Sequence, residues 1–310
     1  MPLNPSLSLQ LRSFAADDPG HWQPLLDQAV AADRAGIGKI VVSDHVAFGS
    51  SLDDYGNPRL GGTAGGKQPT GPDGHWLEPL TLLSVIAGMT SQVRLGTNIL
   101  LAALRRPAVL AKQVATLDVL SQGRVDLGVG VGWQQAEYDA CGLAFSQRGR
   151  LLDHTLEVCQ RLWTEPSASY ASDELSFSDI HAMPKPAQAG GVPIWVSGTV
   201  NRRSMQRLIS FGSGWIPWGD DAGNIVAGIA AMRTMVEELG SDPEHIQVVG
   251  TLPLVSNGDE IDLAATMAQV PALLDAGVTD FRTYPPIPSG IEAATEALSE
   301  LVAAFNNART

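Results

Sequence analysis

His45, preceded by Asp44, is the histidine that closes the apolar run KIVVSDH. An imidazole there can donate to an electron-accepting ring or exchange a proton near neutral pH. A histidine that only hydrogen-bonds to its scaffold fits the same pattern, and Asp44 reads as the group that orients the ring or as a helix cap. A second cluster is Ser197-Gly198-Thr199 with Asn201. Glycine lets a backbone come close, hydroxyls and amides converge, and the following helix turns its positive end toward an anion. Ordinary helix capping explains these residues equally well. Arg202 and Arg203 add charge beside them. Third, Gly128-Val129-Gly130-Val131-Gly132 alternates glycine along a strand. That weakens a strand unless a ligand or another backbone must approach closely, and tight interior packing is the competing account. Trp133, Trp215 and Trp218 stand near strand ends, as pocket walls or as core.

Such groups have to be presented by a scaffold, and residues 93–133 show what kind. Residues 93–101 are an apolar run. Arg105-Arg106-Pro107 then opens a helix, with proline where the first turn accepts it. Residues 107–120 repeat apolar side chains at helical spacing, and Gly123 is placed to serve as the C′ cap. Residues 124–131 form a second apolar run. Buried strand, crossover helix and buried strand make a βαβ unit.

The same alternation continues through the chain. Strands are expected at residues 7–11, 39–43, 192–196, 214–218, 246–255 and 278–284, besides the two above. Helices are expected at 22–35, 77–89, 147–163, 224–239, 263–274 and 291–305, with another starting near Asn201. Two irregular stretches interrupt the rhythm. Residues 46–76 contain LGGTAGGKQPTGPDG, and residues 165–191 hold a small hairpin around Tyr170 and Phe177. Helix and strand resume in register after each, so both read as loops inserted into one domain spanning residues 1–310. About eight strand–helix pairs, with no GxGxxG after the first strand, favour an α/β fold of the (β/α)8 TIM-barrel type over a doubly wound sheet. Chemistry is then expected at the C-terminal strand ends, where Asp44, His45 and Ser197–Thr199 lie.

Composition sets the outer limits. Thirty-three acidic residues against 20 Lys and Arg leave a net charge of −13, which argues against a nucleic-acid partner. No apolar run approaches the roughly 18–20 residues of a membrane span, and the N-terminus shows no secretory signal pattern. Cys141 and Cys159 lack metal-ligand spacing and read as free thiols in a reducing cytoplasm.

With these residues assembled, the chain resembles the bacterial luciferase-like family of flavin and deazaflavin oxidoreductases. Its densest segment is VRLGTNILL…RRPAVLAKQVATLDVLSQGRVDLGVGVGW, supported by KIVVSDH, VPIWVSGT and FGSGWIPWG. These blocks look most like the branch that uses coenzyme F420. The resemblance implies a TIM barrel with the cofactor ring at its mouth and a non-prolyl cis peptide at Asn98–Ile99 supporting the ring. It places Asp44 and His45 beside the reacting centre as catalytic residues. It assigns Thr97, Asn98, Ile99, Gly130, Gly132 and Trp133 to the ring, and Ser197, Gly198, Thr199 and Asn201 to the phosphate. Two positions depart from the family. Where F420-dependent glucose-6-phosphate dehydrogenases carry a catalytic glutamate stands Trp133, which cannot act as an acid. Where luciferase grips the FMN phosphate with an arginine stands Val131.

The expected function is therefore hydride transfer between coenzyme F420 and a small organic substrate, without metal, nucleic acid or membrane. An FMN-dependent monooxygenase fed by a separate reductase and a non-catalytic F420- or flavin-binding protein are the alternatives. A homodimer is the default expectation for the family.

Overall fold

The computed structural model describes residues 5–257 and 260–309. Eight parallel strands close into a barrel: β1 Ser6–Gln10, β2 Lys39–Val42, β3 Arg94–Thr97, β4 Val125–Val129, β5 Ile194–Gly198, β6 Gly214–Pro217, β7 Gln247–Thr251 and β8 Asp280–Thr283. Each strand pairs with the next in sequence, and β8 pairs with β1 from Ser6↔Asp280 to Leu9↔Thr283. The outer ring holds α1 Gln23–Ala35, α2 Pro79–Met89, α3 Pro107–Leu120, α4 Arg148–Thr164, α5 Arg202–Phe211, α6 Ile225–Glu238, α7 Val270–Ala276 and α8 Ile291–Ala308. This is the (β/α)8 barrel that the alternation leads one to expect.

Side chains alternate across each strand. Leu7, Leu9, Ile40 and Val42 join the large apolar core shared with the helices. The alternate positions carry a charged network. Lys39 Nζ lies 3.0 Å from Asp126 and 2.9 Å from Asp280, and 3.8 Å above the Trp195 ring. Arg94 grips Asp126 with two bonds, of 2.7 and 2.9 Å. A small apolar layer of Trp195, Ile216 and Val249, with Ile99 packed against it, is separate from the main core.

Three details differ from the sequence expectation. The run at 93–101 pairs regularly only over Arg94–Thr97: the Asn98–Ile99 peptide is cis, and pairing reappears as a single bridge, Leu100↔Val129. The helix expected at 263–274 is two, Leu263–Met267 and α7, because Pro271 has no amide hydrogen and its ring excludes the carbonyl one turn back. After α3 it is Gln122, at φ 58°, that takes the left-handed C′ position, and Gly123 follows at C″. The amides of Gln122 and Gly123 donate to Val119 and Asp118 carbonyls at 3.1 and 2.8 Å, the Schellman pattern.

The expected hairpin is present as antiparallel Ala168–Ala171 and Ser176–Ile180. The segment at 46–76 folds over the C-terminal end of the barrel. It contains 3₁₀ turns at Asp53–Gly56 and Pro58–Leu60, and its His75–Trp76 pairs with Phe14–Ala15 beyond β1. Among the described residues, no helix is long and apolar enough to cross a membrane.

Candidate active site

A cavity of about 1340 Å³ opens at the C-terminal mouth of the barrel, and its wall includes Asp44, His45, Asn98, Ile99, Gly198 and Trp133. The ends of β2, β3, β4 and β5 therefore converge on one space, which is where a parallel barrel presents chemistry.

His45 follows β2, and its side chain is 10% exposed. Its Nδ1 lies 3.3 Å from Glu137 Oε2, and its Nε2 lies 3.5 Å from Gln68 Nε2. The ring packs edge-on to Trp76, centroid to centroid 4.9 Å, and to Trp133 at 6.0 Å. Glu137 sits in the short helix Gln135–Ala140 after β4, with its side chain only 1% exposed. Its other oxygen accepts from the Val46 amide at 2.5 Å and from Ala47 at 3.4 Å.

Asp44 lies beside His45 in sequence but does not pair with it. Its carboxylate accepts from the Leu101 amide at 2.9 Å and from both terminal nitrogens of Arg105, at 2.6 and 3.2 Å. Burial pushes the Asp44 carboxyl upward, against the pull of Arg105 and the Leu101 amide. Arg105 also reaches Glu78 at 2.8 Å. The structure thus gives Asp44 the task of fixing the chain that leaves the cis peptide. It makes no bond to His45.

The cis Asn98–Ile99 peptide lines the cavity next to Gly130. A Cβ on Gly130 would stand 2.9 Å from Ile99 Cδ1, and one on Gly132, at φ 70°, would stand 2.7 Å from Leu101 Cδ2. The alternating glycines therefore make room for the side chains of the bulge. Asn98 Nδ2 is held by Gln10 Oε1 at 2.9 Å. Trp133 Nε1 is buried with no hydrogen-bond partner. Thr97 does not reach the cavity: it is buried and donates to the Gly128 carbonyl at 2.7 Å. Trp215 is also core, its indole nitrogen donating to the Gly198 carbonyl at 2.9 Å, whereas Trp218 lines the mouth.

On the β5 side, Ser197, Gly198 and Thr199 line the wall, with Gly198 at φ 153°. Asn201 also lines the wall while capping α5: its carbonyl oxygen accepts the Ser204 amide at 3.0 Å, and its amide donates to the Thr199 carbonyl at 3.1 Å. An anion here would meet backbone amides at the start of α5, which have no intrahelical acceptor, and arginines. Arg203, Arg207 and Arg148 all line this end. Arg207 is tied to Asp153 at 2.5 Å, while the buried Nε of Arg148 has no partner. Asp221 lies here too, its carboxylate committed to the Val200 amide at 2.7 Å.

The inserted segment closes the top. Trp218 Nε1 donates to the Gly61 and Gly62 carbonyls, both at 3.0 Å, and Tyr55 packs edge-on to Trp133 at 5.4 Å. Gly61, at φ 103°, is needed because a Cβ would stand 2.9 Å from the Gly132 carbonyl oxygen.

Glu137, Gln68 and Arg148 are the site residues that sequence reasoning missed. Each lies in a loop or at the start of a helix, and nothing in its neighbours signals that it faces His45 or the mouth. Among the described residues no cluster could hold a metal ion.

The mouth of the barrel thus brings a histidine, the Asn98–Ile99 bulge backed by Gly130 and an arginine-bordered end onto one cavity. The chain belongs to the luciferase-like monooxygenase family, whose profile matches residues 6–287. An uncharacterized protein of Mycobacterium tuberculosis is 35% identical over 140 residues, 45% of this chain and 49% of that protein. The match thus spans about half the length of that relative. The F420-dependent glucose-6-phosphate dehydrogenase of Segniliparus rotundus is 30% identical over 200 residues, 62% of this chain and 52% of that enzyme. Among solved structures, an F420-dependent secondary alcohol dehydrogenase in complex with an F420–acetone adduct superposes with TM-score 0.71 at 16% identity, covering 97% of this chain and 99% of that one. The monooxygenase RslO1 of Streptomyces bottropensis superposes with TM-score 0.69 at 18% identity, covering 97% and 98%. At these identities the superpositions speak for the fold alone.

Proposed function

We propose that this protein is an oxidoreductase that uses coenzyme F420 to exchange a hydride with a small organic substrate. The observation that carries the reading is the placement of His45 and of Ile99, packed over Gly130, on one cavity. The similarity to an F420-dependent dehydrogenase supports the choice of cofactor.

The residues present fit such a group. Ile99 over Gly130 offers an apolar surface for a flat ring, and the unpartnered indole N–H of Trp133 is a donor waiting for an acceptor. Arg148, Arg203 and the backbone of Ser197–Thr199 suit a phosphate. When bound, the deazaflavin would supply two-electron chemistry, and the protein would supply position and proton handling. His45 Nε2 would take a proton from the substrate or return one to it. Trp133, Tyr55 and the segment at 46–76 would exclude water from the reacting face.

The deciding experiment is a side-by-side titration of the purified protein with F420 and with FMN, followed by the fluorescence of Trp133 and Trp218. Micromolar binding of F420 without binding of FMN is expected. The reverse would replace this reading with an oxygen-using flavin monooxygenase. Tight F420 binding with no reduction by any hydride donor tested would leave a carrier without turnover.

A further inference from the structure

We propose that Glu137 is a positioning residue that fixes the tautomer of His45, and that Gln68 holds the place of the substrate's own hydrogen-bond donor.

An ionised carboxylate only accepts hydrogen bonds, so the neutral His45 facing Glu137 Oε2 at 3.3 Å must carry its proton on Nδ1. Nε2 is then left with a lone pair. The group facing that lone pair is the amide nitrogen of Gln68, a donor, at 3.5 Å. Donor direction therefore runs one way: Gln68 to His45 to Glu137. The remaining oxygen of Gln68 is buried and has no partner, so the amide is turned toward His45 although that turn leaves its own acceptor unsatisfied.

Glu137 is itself pinned. Its Oε1 takes the amides of Val46 and Ala47, the two residues directly after His45. One carboxylate thus sets both the path of the chain leaving β2 and the ring carried on it. Asp44, next to His45, is engaged with Arg105 and Leu101 and does not contribute. Trp76 and Phe48, at 4.9 and 4.4 Å between ring centres, limit rotation of the imidazole but do not choose its protonated nitrogen.

Gln68 belongs to the inserted segment that covers the mouth, and it lines the cavity. A substrate hydroxyl reaching Nε2 would replace the Gln68 donor with its own. The segment that closes the site would then also select for a hydrogen-bond donor at the reacting position.

This inference rests on reading His45 as the proton-handling group, but its test does not require turnover or bound cofactor. The ¹⁵N–¹H correlation pattern of the His45 imidazole, recorded in its neutral state in the wild-type protein, should show a protonated Nδ1 and a bare Nε2. In Glu137→Gln the carboxamide can keep the Val46 bond while turning its NH₂ toward Nδ1, and the pattern should invert. Gln68→Ala should keep the wild-type pattern. A wild-type spectrum with the proton on Nε2 would overturn the proposal, and so would an unchanged tautomer in folded Glu137→Gln. If that variant does not fold, the wild-type spectrum decides alone. Loss of F420 binding with the expected tautomer intact would count against the function and leave this assignment standing.

Discussion

Ile99 Cδ1 lies where a side chain on Gly130 would have to go: a Cβ built there stands 2.9 Å from it. Two strands are thereby matched atom for atom at the cavity wall. Gly130→Ala should push Ile99 from its position and weaken F420 binding, at a stability cost of about 1–2 kcal/mol, because a side chain, with Cδ1 at 2.9 Å and Cγ1 at 3.0 Å, and no backbone atom must yield. Gly128 is the contrast. Its Cβ would stand 2.0 Å from the Thr97 carbonyl oxygen, which is backbone and cannot step aside. Gly128→Ala should cost about 3 kcal/mol or more in urea unfolding. Wild-type F420 affinity in Gly130→Ala would move the ring away from this wall.

His45→Ala should lower F420-linked turnover at least about tenfold, with F420 affinity little changed, as expected for loss of an acid–base group. Steady-state rates beside a fluorescence titration check both halves. Full turnover would remove His45 from the mechanism.

Gly198 separates charge from strain at the proposed phosphate end. Both Gly198→Ala and Gly198→Asp must adopt its φ of 153°, so both should lose some stability. Only the aspartate adds an anion beside the start of α5. F420 affinity should therefore fall further in Gly198→Asp than in Gly198→Ala, and equal affinities would place the phosphate elsewhere.

Acid should unfold the protein through the barrel interior. Burial alone would raise the carboxyls of Asp126 and Asp280, but Lys39 with Arg94 or Arg282 holds both below the usual carboxylate range. A pKa depressed in the folded state contributes stability above the unfolded value, about 3.9 for Asp. That contribution is lost as pH falls through the folded value. The melting temperature should thus hold near neutrality and drop steeply below about pH 4. Lys39→Met should destabilise by about 3 kcal/mol at neutral pH, since it removes the cation shared by two buried carboxylates and leaves them to Arg94 and Arg282 alone, and should shift the acid transition upward. An unchanged acid midpoint would show that the network does not govern it.

Gln122 offers a gain. A non-glycine residue at φ 58° pays a steric penalty that glycine escapes. Gln122→Gly should raise stability by about 0.5–1 kcal/mol, the extra freedom of the unfolded glycine chain offsetting part of the relief. Differential scanning calorimetry would show it, and a lower melting temperature would refute it.

What the amino-acid order decided by itself is local and periodic. Proline at the head of α3, glycine after α1 and apolar spacing of two or about 3.6 residues act within one or two turns of chain. They made the eight strand–helix pairs readable, and with them the strand ends that carry His45, Asn98, Trp133 and Ser197. Long-range choices were not readable, because every residue has several partners it could satisfy. Asp44 looks like the natural companion of His45, yet Arg105 and the Leu101 amide take it. Glu137 takes the histidine from 92 residues away. Asn201 lines the cavity and at the same time caps its own helix. Only closure of the barrel sets which carboxylate meets which cation, because it brings distant strand ends together and removes the water that would otherwise satisfy each group separately.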